Sequence, residues 1–89
     1  MGNKPPELAD IAFELKFNAK QMESQANKLE TQEKNNRKKI LDALKNGQTE
    51  NAKIFAENVI RDKKEALNTR RFGVKMTALA SKVEAAARS

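Results

Sequence analysis

Between Leu8 and Leu44 the chain has no proline or glycine, and between 51 and 84 it has no proline and one glycine, Gly73, in mid-stretch. Two such runs, separated by Asn46-Gly47-Gln48, leave the chain few ways to fold. In the second run Ala52, Phe55, Ala56, Val59, Ile60, Ala66, Leu67 and Val74 recur at steps of three and four, the period of one helical face. Glu57 and Arg61 stand four apart with the acid first, the favourable order for a surface pair. The first run holds two interleaved seven-residue ladders. One is Leu8, Leu15, Met22, Leu29, Asn36 and Ala43; the other is Ala12, Ala19, Ala26, Glu33 and Ile40. Together they form the d and a positions of a heptad seam, with small alanines that let a second helix come close. Glu33 and Asn36 interrupt the seam; such breaks either fix register or mark a wetter part of it.

Gly47 can take the left-handed conformation that ends a helix, and Lys45 lies near the negative end of the helix dipole. Thr49 is the expected N-cap of the next helix, with Glu50 in its first turn. Upstream, Pro5 and Pro6 suit a first helical turn, and Glu7 and Asp10 its positive end. Helices so closely joined fold back antiparallel, each arm about 60 Å long at a rise of ~1.5 Å per residue. The predicted fold is all-α: a rod-like antiparallel two-helix hairpin, α1 about 6–45 and α2 about 49–88. Residues 1–5 are expected to form a flexible tail before a single 6–89 domain. Gly2 invites N-myristoylation, but Pro6 stands where that pattern asks for Ser or Thr, so acylation is not expected.

Composition narrows the function. The 89 residues are 38% hydrophobic and 34% charged, a balance that fits long exposed helices better than a compact globule. Four phenylalanines, no tryptophan and no tyrosine argue against a layered core. The absence of cysteine and histidine removes disulfides, thiolate metal sites, thiol nucleophiles and the commonest general base. A two-helix rod offers no pocket for carboxylate or lysine catalysis, and no phosphate-cradling glycine loop is present. Neither an enzyme nor a cofactor is expected. No apolar run approaches the ~20 residues of a membrane span and no signal-peptide core exists, so a soluble chain is expected. Eighteen Lys and Arg against twelve Asp and Glu give a net charge of +6. That surplus favours polyanions, whether phospholipid surface, nucleic acid or acidic protein, with solubility as the plainer alternative.

Lys16, Lys20, Lys34, Lys38 and Lys45 fall in a narrow sector of helix 1, and Arg37 and Lys39 flank it in the cluster KNNRKK. Glu23, Glu30 and Asp42 interleave and are expected to pair with some of them along the helix. Each uncompensated cation near an anionic bilayer contributes ~1 kcal/mol, a weak hold that repetition along a filament strengthens. A solvated charged face would carry the same lysines. Charge also predicts nonspecific nucleic-acid affinity, but stacking platforms and DNA-binding motifs are lacking.

Two apolar surfaces lack cover. Phe13 and Phe17 lie four apart and face away from the helix 1 seam, as an interaction surface would. In helix 2 a stripe centred on Ala56, Val59, Lys63 and Ala66 gives way to Phe72, Met76, Leu79, Val83 and Ala86 on nearly the opposite side. Heptad drift of ~20° per repeat is too small for that switch. The second stripe is therefore expected to meet another segment or molecule. The chain stops at AAARS without a capping signal, and is expected to be a fragment of a longer protein.

The stretch NGQTENAKIFAENVIRDKKEALNTRRFGVKMTALASKVEAA closely resembles the second helix of ESCRT-III proteins, specifically the charged multivesicular body protein 1 subfamily. The matching words are Asn51-Ala52-Lys53-Ile54, Ala56-Glu57-Asn58, Ile60-Arg61, Lys63, Asn68, Arg70-Arg71 and Met76-Thr77-Ala78-Leu79-Ala80. FELKFNAKQM resembles the subfamily's opening through Phe13, Leu15, Lys16, Phe17 and Lys20. Gly73 within the helix departs from the pattern. The resemblance implies a subunit that polymerises on anionic membranes for endosomal sorting, multivesicular body formation and membrane scission. It would be cytoplasmic and peripheral on endosomal membranes. Lys16, Lys20, Lys34, Arg37, Lys38 and Lys45 would touch the membrane. Phe13, Phe17, Phe72, Met76, Leu79 and Val83 would touch other ESCRT-III subunits. An acidic C-terminal regulatory half, absent here, would recruit an AAA ATPase. The alternative is a helical-hairpin adaptor that binds another protein without touching lipid.

Overall fold

A computed structural model describes residues 7–89. The expectations for residues 1–5, for Gly2 and for Pro5 and Pro6 lie outside the described residues. Two helices make up the fold: α1, Leu8–Lys45, and α2, Thr49–Arg88. They pack antiparallel into a rod of 65 × 29 × 13 Å, which matches the arm length expected from helical rise.

The turn is built by backbone bonds. Gly47 takes φ +70°; its N–H donates to the Leu44 carbonyl at 3.2 Å, and the Gln48 N–H donates to the Ala43 carbonyl at 2.8 Å. These bonds satisfy carbonyls that the end of α1 leaves free, in a Schellman arrangement. Gln48, rather than Thr49, is the N-cap of α2. One residue serves both helices: the Gln48 N–H closes α1 while its carbonyl accepts the Ala52 N–H at 3.0 Å. Thr49 is thereby drawn into the first helical turn.

Both heptad ladders of α1 face α2 beyond Leu8, which is exposed at the start of the helix. Ala12, Ala19, Ala26 and Ala43 are buried, while Leu15, Met22, Leu29, Glu33, Asn36 and Ile40 are half-buried. On α2 the same seven-residue step runs unbroken through Ala52, Val59, Ala66, Gly73 and Ala80, with Phe55, Asp62, Thr69, Met76 and Val83 between them. The expected stripe switch in α2 is therefore overturned. Apolarity alone skipped Asp62, Thr69 and Gly73, which carry the seam between its two apolar ends. It also counted Ile60, Leu67 and Val74, which are exposed, as seam residues. Lys63, placed at the stripe's centre by its period, is exposed; its neighbour Asp62 is buried instead.

The core is made of small residues, and no large side chain among those described is fully buried. Gly73 marks the closest approach. A Cβ there would meet the Met22 Cβ at 3.2 Å and the Ala19 carbonyl oxygen at 3.5 Å. In mid-seam the Asn36 amide donates to Asp62 Oδ2 at 3.1 Å, which gives the buried carboxylate a partner from the opposite helix.

Candidate membrane and subunit interface

An antiparallel helix pair has two broad faces, one on each flank of the seam. On one flank Lys16 of α1 ion-pairs with Glu84 of α2. Farther along it, Arg70 donates to Glu30 at 2.8 Å and to Asn27 at 3.1 Å. Both pairs bridge the helices and are part-exposed, so each contributes modestly to stability. Between them lies an open groove of about 940 Å³ lined by Phe13, Lys16, Phe17, Lys20, Val74 and Thr77. Its floor includes Ala19 and Gly73, where small residues let the surface sink. A second hollow on this face brings Lys34 of α1 beside Lys63 and Leu67 of α2.

The six α1 cations singled out by sequence differ in how free they are. Lys16 is held by Glu84, and Arg37 donates to Glu33 at 2.9 Å one turn back. Lys20, Lys34, Lys38 and Lys45 are exposed, with no carboxylate at ion-pair distance among the described residues. Lys39 belongs elsewhere: its ammonium sits 5.7 Å from the Phe55 ring centre on the other flank.

Phe13 is 71% exposed and Phe17 54%, and both line the groove that also holds Lys16 and Lys20. A molecule docking on the phenylalanines would therefore cover two of the cations. Phe72 and Leu79, seven residues apart, are exposed on the opposite flank. Met76 and Val83 do not share that exposure. They occupy seam register and are half-buried, which separates them from Phe72 and Leu79. The flank bearing Phe72 and Leu79 is lined on α1 by Asn18, Gln25, Gln32 and Lys39 and carries Glu65, Lys75 and Lys82 on α2.

Sequence reasoning missed the exposed row Ile60, Leu67 and Val74 and the inter-helix pair of Asn36 and Asp62. The seven-residue spacing of Ala52, Ala66 and Ala80 was a signal for both, though only the approach of α1 decides that a glycine and an acid belong on that seam. Among the described residues no group of three or more potential ligands is placed to hold a metal, and no helix is long and apolar enough to cross a membrane.

No family model matches the chain. It is 42% identical over 76 residues to charged multivesicular body protein 1 of Dictyostelium discoideum, covering 85% of this chain and 40% of that protein. It is 43% identical over 79 residues to charged multivesicular body protein 1a of Danio rerio, covering 89% of this chain and 40% of the relative. The ESCRT-related protein CHMP1 of Oryza sativa subsp. japonica is 35% identical over 88 residues, covering 99% of this chain and 42% of the relative. The chain thus spans about two fifths of the length of the curated relatives it matches.

Proposed function

The chain belongs, over the region it shares with these relatives, to the charged multivesicular body protein 1 subfamily of ESCRT-III, and from that premise we propose that it is a membrane-remodelling subunit. In this reading it polymerises on anionic membranes during multivesicular body sorting and scission. It has a structural role rather than a catalytic one, and works as a peripheral protein on the cytoplasmic side of endosomes. One observation carries the lipid assignment: four exposed α1 lysines, Lys20, Lys34, Lys38 and Lys45, without carboxylate partners on a rigid rod. An ammonium group free of protein partners can meet lipid phosphates without first breaking an ion pair. Lys16 and Arg37 contribute less, because Glu84 and Glu33 already hold them.

Neighbouring subunits would dock on Phe72 and Leu79, two large apolar side chains exposed one above the other on one flank, as the apolar core of a protein interface requires. A neighbour docking on the Phe13–Phe17 groove would cover Lys16 and Lys20, so this second contact competes with lipid, and Met76 and Val83 would join only where a neighbour parts the seam. Recruitment of an AAA ATPase belongs to parts of an ESCRT-III subunit outside this chain. Nonspecific nucleic-acid affinity follows from net charge alone. A second reading, a protein-binding adaptor without lipid contact, draws its support from the Phe72–Leu79 flank.

Cosedimentation with anionic and neutral vesicles across a salt series, with negative-stain imaging of the pellets, tests the proposal. Salt-sensitive binding with ordered strands or coated tubes is expected. Lys20→Glu, Lys34→Glu and Lys38→Glu together should abolish it while leaving helicity intact. Binding unchanged by that triple reversal would remove α1 from the lipid surface. A soluble monomer indifferent to lipid would leave the adaptor reading.

A further inference from the structure

We propose that the exposed row Ile60, Leu67 and Val74 of α2 inserts at the acyl boundary of an anionic bilayer, as the apolar half of the surface whose lysines come from α1. The inference rests on the lipid reading above for the partner's identity and adds a second helix to the contact. The three side chains are 69%, 50% and 66% exposed. At seven-residue spacing they form a line of roughly 21 Å along the rod. They lie on the same broad face as two of the free α1 lysines: Val74 lines the groove with Lys20, and Leu67 lines the second hollow with Lys34. A flat surface laid on that face meets both helices at once.

Charge identifies the occupant. Lys64 follows Ile60 by one turn, Arg71 follows Leu67 by one turn, and Lys63 precedes Leu67 by one turn. No ion pair holds any of the three among the described residues. Of the nearby acids, Asp62 is buried in the seam, Glu65 shares the opposite flank with Phe72, seven residues on, and Glu30 and Glu33 are held by Arg70 and Arg37. Glu23 and Glu57 remain on this side, outnumbered by Lys20, Lys34, Lys63, Lys64 and Arg71. A protein partner covering this row would have to bury unpaired ammonium and guanidinium groups, which is costly, and interface cores are depleted in lysine for that reason. A lipid surface has no such conflict. The alkyl stems lie beside the inserted side chains while the charged heads reach the phosphates. Gln32, exposed on the opposite flank and away from Phe72 and Leu79, serves as the internal control.

The chain has no cysteine, so an environment-sensitive dye can be placed at one site. Leu67→Cys and Gln32→Cys, each labelled, would be mixed with vesicles of phosphatidylserine and phosphatidylcholine or of phosphatidylcholine alone, with cosedimentation measured in parallel. The expected result is a blue shift at position 67 with the anionic vesicles and none at 32. In the unlabelled protein, replacing Ile60, Leu67 and Val74 with serine should weaken binding roughly tenfold and remove its salt-resistant part. Cosedimentation with a silent dye at 67 overturns this inference and leaves the α1 lysines as the lipid contact. No cosedimentation with anionic vesicles overturns both. A shift at 67 that follows protein concentration without vesicles makes the row a protein contact, and equally overturns the proposal.

Discussion

Gly73 sits where the two backbones come closest, and the Met22 Cβ lies 3.2 Å from where its own would be. Met22 can swing its thioether but not its Cβ, so a larger residue has to push the helices apart. Gly73→Leu should therefore destabilise the hairpin by about 2 kcal/mol, seen as a lower Tm by circular dichroism. Gly73→Ala sets a helix-propensity gain of about 1 kcal/mol against the short contact and should stay near the parent. A Leu variant that melts with the parent would show that the helices are not in close approach. At Asp62 the issue is polarity. Its carboxylate is 6% exposed and is held by the Asn36 amide. Asn36→Leu alone leaves it without that partner and should cost about 1–3 kcal/mol. Changing Asn36 and Asp62 to leucine together should restore the Tm or raise it. If the double variant melts below Asn36→Leu, the pair contributes more than mutual satisfaction.

At the scale of elements, the turn and the seam hold the hairpin by different means. The turn relies on backbone geometry: Gly47 at φ +70° would present a Cβ to open space, with nothing within 4 Å. Any penalty for a side chain there is conformational rather than steric. Gly47→Ala should cost about 1 kcal/mol and Gly47→Asn less, since asparagine tolerates the left-handed region; denaturant midpoints compared at equal m-values would measure the difference. The seam relies on repetition. Each buried alanine removes little apolar area from water, and stability accumulates along the length of α1 and α2.

For the whole molecule, a rod 13 Å thin with a core of alanines has little interior to draw on. Stability should then depend strongly on what covers its faces. Any surface that binds the folded hairpin and not the unfolded chain stabilises it by mass action, by about 2.7 kcal/mol at a hundredfold excess over Kd, and so raises its Tm. The Tm should climb as anionic vesicles are added and stay flat with phosphatidylcholine alone. A melt indifferent to both would mean that neither the lysines nor the Ile60 row engages lipid. Grouping also matters at this scale. Phe13, Lys20, Lys34, Leu67 and Val74 come from two helices but share one broad face, whereas Phe72 and Leu79 stand on the other.

The order of residues was enough to determine two helices, the turn at Gly47, the α1 seam and the antiparallel arrangement. These follow from local rules: periodicity, the absence of proline, and a loop too short for any other path. The identity of the relatives was legible in words such as Asn51-Ala52-Lys53-Ile54 and Ile60-Arg61. The register of α2 was not. Its seam passes through Asp62, Thr69 and Gly73, which look unlike core residues until a partner helix supplies an amide for the acid and a backbone close enough to require glycine. Only that packing decided that Met76 and Val83 turn inward, that Ile60, Leu67 and Val74 turn out, and that Glu84 holds Lys16. Each is a contact between residues far apart in the chain, and a local pattern carries no record of its partner.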